Sequence, residues 1–322
     1  MNPNQPELDR ASLEQQTGSL FGDLWPQYDD KLFEASVELF YRRLELVGIE
    51  RGFFAGKRCL DAGCGGGRAA IALAQLGAAE VVGVDLGVQG LEDARRRAAA
   101  RGLGNVRFEP GSLLELPFAD QNFDLVWCAG VLMITANEEQ ALDELLRVLR
   151  PGGQLYLLVY ATEGLRWPLI QLLRPLAAQI GQPAIEAAIV AAGLAANKRR
   201  TYLDDLFCPA LDFYTWHRLE GMLRRRGCTQ IERWGEAPRL DHEESLAAYR
   251  LDLEGLRQLF AAGAATAPLE QALFREAERM TRATIDAVDA FAAAVADGQL
   301  STAAAMAKVV GQGHHRVWAT KG

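Results

Sequence analysis

Histidine is scarce in this chain, with four residues in 322. The five cysteines, Cys59, Cys64, Cys128, Cys208 and Cys228, are scattered and form no C-x-x-C pair. No Cys/His cluster has zinc spacing, so no metal site is expected, and the scatter reads as reduced thiols in a cytoplasmic protein. Long apolar runs are missing too. The stretch 184–196 is short and Ala-rich, so no membrane span is expected. Residues 1–17 lack a basic region followed by an apolar run, so no signal peptide is expected there, and they read as a mobile tail. Basic charge is in deficit: the net charge is −8 and the pI about 5.2. An acidic surface repels phosphate backbones, which disfavours a nucleic-acid partner and leaves a small molecule as the expected substrate.

What is present is enough apolar material for a sizeable core, 49% of the residues. Residues 18–50 carry aromatics at helical spacing and predict one or two amphipathic helices. Residues 57–160 alternate between short apolar or β-branched runs and helical stretches. Strands are predicted over 57–62, 80–86, 105–109, 122–128 and 154–160, and helices over 68–76, 91–101 and 138–149. Pro151-Gly152-Gly153 should end the last helix, since proline cannot continue it. This alternation implies a parallel sheet covered on both faces. Residues 163–200 break the pattern with short Ala/Leu-rich helices. A helix over 215–226, capped by Thr215, and a strand over 229–235 resume it. Residues 240–308 read as helix, and 315–321 as a last strand.

The strongest local signal is Asp61-Ala62-Gly63-Cys64-Gly65-Gly66-Gly67, where the first strand hands over to a helix. Gly63 permits a tight turn, Gly65 clears space for a ligand against the backbone, and Gly67 lets the helix pack closely. The helix N-terminus beyond offers free N–H groups. Asp85 ends the next strand, 22 positions after Gly63. A carboxylate there can accept from two ribose hydroxyls at once. Singly, each feature has a plainer explanation, a tight βα turn or a helix cap. Together, at this spacing, they point to adenosine recognition. Asp61 heads the turn, where it could accept from a cationic amino-acid ligand or fix the glycine loop. A pyrophosphate would be repelled, so the pattern favours S-adenosylmethionine over NAD.

These motifs resemble those of the class I S-adenosylmethionine-dependent methyltransferases, in the small-molecule branch with the ubiquinone and menaquinone enzymes. Residues 61–67, 81–86, 123–128 and 149–153 carry the likeness, within 57–160. The resemblance implies a Rossmann-like α/β fold: a seven-stranded, mostly parallel sheet with a reversed last strand, helices on both faces and added helical lid segments. It implies methyl transfer from S-adenosyl-L-methionine, with S-adenosyl-L-homocysteine as product. Gly63, Gly65 and Gly67 would pass along the cofactor. Asp85 and Leu86 would hold its ribose and cover its adenine, Ser112 and Leu113 would sit at the adenine edge, and Cys128 and Ala129 near its methionine end. Many relatives carry an acid where Ser112 stands. The segment 21–25 resembles an aromatic stretch that caps the cofactor.

The implied organisation is an N-terminal helical lid over 1–50 and a cofactor-binding core over 51–162. A helical insertion or substrate lid follows over 163–214, then a core continuation over 215–239, a second helical insertion over 240–308, and the last core strand over 309–322. The insertions could also pair two copies into a homodimer. Methyl transfer needs positioning and exclusion of water more than a base. The titratable candidates outside the motifs are His217, Asp204 and Tyr202, with His242, Asp205 and Tyr160 behind them; for each alone a plain structural role, such as a surface group or a turn cap, is the better reading. Trp25, Tyr28, Tyr160, Trp167, Tyr202, Tyr214 and Trp216 are candidates for an aromatic substrate pocket, with lid packing as the alternative. Two other classes stay open: an NAD-dependent Rossmann oxidoreductase, and a non-catalytic scaffold that keeps the fold.

Overall fold

The structure is a computed structural model that describes residues 9–24, 29–234, 245–263, 267–311 and 313–322. In chain order it begins with helices α1 (Arg10–Leu24) and α2 (Asp30–Leu46), then strand β1 (Arg58–Ala62), α3 (Arg68–Gln75) and β2 (Glu80–Asp85). Next come α4 (Val88–Ala100), β3 (Val106–Pro110), β4 (Phe123–Ala129), α5 (Glu138–Val148) and β5 (Leu149–Tyr160). Three helices follow, α6 (Arg166–Ile180), α7 (Gln182–Ala191) and α8 (Ala196–Phe207), then α9 (Trp216–Arg225) and β6 (Cys228–Arg233). The chain ends with α10 (Leu246–Ala261), α11 (Pro268–Ala296), α12 (Thr302–Val309) and β7 (His314–Lys321).

The chain divides into two compact units. One, of residues 1–160, 209–237 and 314–322, contains the sheet. Its strand order is β3-β2-β1-β4-β5-β7-β6, with β7 antiparallel to both neighbours and the pairs among β1 to β5 parallel. This is the Rossmann-like sheet with a reversed last strand that the motifs implied. β1, β2 and β4 are nearly continuous buried runs, as strands covered on both faces must be. On one face Trp127 stacks on Tyr156 with ring centroids 3.7 Å apart, and Trp234 stacks on Trp318. Phe40 of α2 packs on Trp127. Arg97 of α4 is buried against Phe33 of α2, with Asp93 and Asp30 as its ion partners.

Two expectations are corrected here. Residues 10–17 are not a tail: α1 begins at Arg10, where the Asp9 carboxylate accepts from Ser12 N at 2.8 Å and caps the helix. α5 stops at Val148, and β5 is already paired at Leu149, opposite Phe123, ahead of the Pro-Gly-Gly turn. The sheet captures Leu149, a fully buried residue, two positions before the Pro-Gly-Gly signal to stop. Thr215 caps α9, its hydroxyl accepting from Arg218 N.

The other unit, of residues 161–208 and 238–313, is helical among its described residues. α11 packs against α10 and α6, and α8 against α6 and α7. Arg166 pairs with Asp205 and Asp252, and Lys198 also pairs with Asp252. Among the described residues no helix is long and apolar enough to cross a membrane, and no group of His, Cys, Asp or Glu is placed to hold a metal ion.

Candidate active site

In an open α/β sheet the ligand crevice forms outside the carboxyl ends of the strands, where the strand order reverses. Here β1 is that point, with β2 and β3 on one side and β4 on the other. A cleft of about 700 Å³, partly open to solvent, lies there. Gly63 follows β1, Asp85 ends β2 with Leu86 after it, Ser112 to Leu114 follow β3, and Ala129 ends β4 with Gly130 and Val131 after it; all of them line the cleft. Ile134 to Ala136 complete that side, and Leu13, Glu14, Thr17, Gly18 and Phe21 of α1 form the opposite wall.

Asp85 is fixed by the loops around it. Its two carboxylate oxygens accept from Gly65 N and Gly87 N, each at 2.8 Å. Each oxygen keeps a further lone pair for a ligand hydroxyl. Burial raises the Asp85 pKa above its ordinary value, against the pull of those two N–H groups. Gly63 has φ +77°, and a Cβ there would fall 2.3 Å from Val131 Cγ2, so glycine is required for the turn to close against the cleft wall.

Asp61 lies behind the turn, 3% exposed, and does not line the cleft. Helix α3 starts from Gly67, which has no side chain to cap it. Asp61 takes that place from the neighbouring strand, its Oδ2 accepting from Ala70 N at 2.8 Å. Burial pushes its carboxyl up to about 7. Gly65 and Gly67 likewise belong to the turn rather than the lining. A Cβ on Gly67 would strike Ala94 and Phe108, so its lack of a side chain serves packing. Cys128 is fully buried, and burial pushes its thiol up to about 12, which makes it an inert core residue.

The cleft brings together Gly63, Asp85, Leu86, Ser112, Leu113 and Ala129 of the expected cofactor residues. It does not gather the expected aromatic pocket. Tyr160 packs edge-on against His314, and Tyr214 is buried with its hydroxyl donating to Glu138. Trp216 lies beside His315. Trp167 and Tyr202 belong to the helical unit, where Trp167 Nε1 donates to Gly313 O and the Tyr202 hydroxyl to Asp252 O. Trp25, Tyr28 and His242 lie outside the described residues. Of the titratable candidates, His217 is exposed on α9, while Asp204 and Asp205 sit in α8 of the helical unit, where burial raises both carboxyls.

The sequence reading set residues 21–25 against the cofactor but missed the part of the wall that Leu13, Glu14 and Thr17 of α1 make. Leu13, Thr17 and Phe21 repeat at helical spacing behind an Asp9 cap, a signal that extends the aromatic pattern backward by two turns. Thr17 Oγ1 is buried in the cleft wall and has no hydrogen-bond partner among the described residues. A buried hydroxyl left this way is destabilising unless a ligand meets it. With the Asp85 carboxylate, the Ser112 hydroxyl and apolar walls, the donor set fits an adenosine-containing ligand.

Residues 53–192 match the family model described as a methyltransferase domain. The chain is 41% identical over 145 residues to demethylmenaquinone methyltransferase of Thermus thermophilus, covering 44% of this chain and 64% of that protein. It is 34% identical over 146 residues to 27-O-demethylrifamycin SV methyltransferase of Amycolatopsis mediterranei, covering 44% and 52%. A chain in the Haloferax volcanii complex of the Trm112 methyltransferase activator with a methyltransferase shares the fold at 14% identity and TM-score 0.50, over 93% of this chain and 96% of that one. The chain spans less than two thirds of the curated relatives it matches. Its core is similar to the class I S-adenosylmethionine-dependent methyltransferases. S-adenosyl-L-methionine is accordingly the cofactor this core takes.

Proposed function

We propose that this protein transfers the methyl group of S-adenosylmethionine to a small-molecule acceptor. The carrying observation is the cleft at the reversal of strand order, with Asp85 fixed between the glycine turn and the β2–α4 loop. When bound, the sulfonium supplies an already electrophilic methyl group. What remains for the chain is to hold the cofactor, align the acceptor and exclude water. Asp85 accepts from the ribose hydroxyls. Leu86, Leu113 and Phe21 enclose the nucleoside, and Gly63 and Ala129 to Val131 border the other end of the cleft. Glu14 and Asp85 are the only titratable side chains among the described lining residues, and both are taken up by the nucleoside in this reading. Attack therefore depends on in-line positioning and desolvation, with the acceptor's own acidity setting any need for a base. The acidic net charge and the two relatives named for small-molecule methylation support the acceptor class.

The test is calorimetric titration with S-adenosylmethionine, S-adenosylhomocysteine and NAD, followed by label transfer from methyl-labelled cofactor to a panel of small phenols, quinols and amines. Micromolar binding of the first two and none of NAD is expected. Asp85→Asn is the informative variant, because Asp85→Ala would also strip Gly65 N and Gly87 N of their acceptor. It should weaken S-adenosylhomocysteine at least tenfold with a smaller loss of Tm than Asp85→Ala, because its amide oxygen still accepts from one of the two N–H groups. Binding of NAD alone would overturn the proposal.

A further inference from the structure

If Asp85 at the end of β2 holds the ribose, the base must lie away from β4, over the end of β3. Ser112 stands there, and it is not an acid. The structure nevertheless brings a carboxylate to that place. The Ser112 hydroxyl donates to Glu14 Oε1 at 2.5 Å, from a helix 98 positions earlier in the chain. The same Oε1 accepts from Arg10 Nε at 3.4 Å, within α1. Ser112 Oγ in turn accepts from Leu114 N at 3.0 Å, which fixes the hydroxyl and so the direction in which it donates. Glu14 Oε2 takes no hydrogen bond from any described residue, and Glu14 lines the cleft. Thr17, one turn further along the same helix face, is the second and independent sign. Thr17 is 7% exposed and lines the same cleft, and its hydroxyl has no partner among the described residues.

We propose that Glu14 is the base-reading residue of this site, with Ser112 as its positioning partner. Ser112 occupies Oε1 and turns Oε2 toward the base, where it accepts from the exocyclic amino group of adenine. A carboxylate only accepts, so it welcomes an amino group and repels a carbonyl oxygen at the same place. The specificity of the cleft for adenosine thus comes from α1 rather than from the β3 end. Thr17 supplies a second polar contact from the same face. This inference rests on the S-adenosylmethionine reading given above.

The experiment is titration of the full chain with S-adenosylhomocysteine and with S-inosylhomocysteine, which carries oxygen in place of the amino group. The unmodified protein should bind the inosyl compound about 10- to 100-fold more weakly, the range a charge-assisted hydrogen bond commands. Glu14→Gln, whose amide can donate as well as accept, should collapse that ratio to within about threefold, with Tm unchanged. Equal binding of both compounds by the unmodified protein overturns the inference without any variant. So does a ratio that survives Glu14→Gln, since a residue that merely anchors α1 would weaken both compounds alike. Failure of the unmodified protein to bind S-adenosylhomocysteine at all would remove the cofactor reading itself, and the Glu14 assignment with it.

Discussion

Asp61 sits beneath the glycine turn with its carboxylate on the first turn of α3, and burial carries its pKa from 3.8 to about 7. Between those values the folded chain holds a proton that the unfolded chain has released. Stability therefore falls as pH rises through that window, and the loss is complete above pH 7. Asp61→Asn keeps an oxygen for Ala70 N but cannot ionise. Relative to the unmodified protein, the variant should gain as much as ~4 kcal/mol between pH 4 and pH 8, at ~1.4 kcal/mol per tenfold change in proton affinity. Urea denaturation at both pH values measures this, and parallel pH profiles would show that Asp61 is not the titrating group. Asp61 and Asp85 could be singled out in the sequence because both stand in a local motif at fixed spacing. Glu14 and Thr17 could not. Their chemistry depends on where α1 docks, and an acid in a polar N-terminal segment reads as solvated.

Helix α1 carries two interior glycines, Gly18 and Gly22, each of which disfavours a helix by about 1 kcal/mol relative to alanine. Their positions explain them. A Cβ on Gly18 would lie 3.2 Å from both Leu86 Cβ and Leu86 O, and a Cβ on Gly87 would lie 3.2 Å from Gly22 Cα. The helix thus meets the β2–α4 loop almost backbone to backbone, which brings Glu14 and Thr17 into the cleft wall. Gly18→Val should improve helix propensity yet push α1 off the loop. The expected result is at least fivefold weaker S-adenosylhomocysteine binding with undiminished helical circular dichroism; unchanged affinity would mean that the close approach does not matter to the site. The strands were legible because β-branched runs ending in glycine or aspartate have little alternative. The start of β5 was not. Pairing of Leu149 with Phe123 is a tertiary gain that overrides the Pro-Gly-Gly signal two residues later.

At the scale of the whole molecule, the parallel half of the sheet was legible because each strand is followed by its own helix. The helical unit was legible only as composition. Its two stretches, 161–208 and 238–313, meet through α6 and α11, and no local pattern announces that pairing. The arrangement of the sheet has a consequence for how the chain is made. β7 takes the sixth place in the sheet, between β5 and β6, although it follows both in sequence. Residues 161–313 must therefore be synthesised before β5 gains its outer neighbour, about 10–30 s at ordinary elongation rates. Throughout that interval the edge of β5 is open to pairing with other chains, and β6 emerges without its partner. Chains truncated after residue 313 should accordingly be cleaved by protease within β5, and chains extended through residue 322 should resist. Equal resistance would show that the parallel strands close on themselves without β7, and that the long wait exposes nothing.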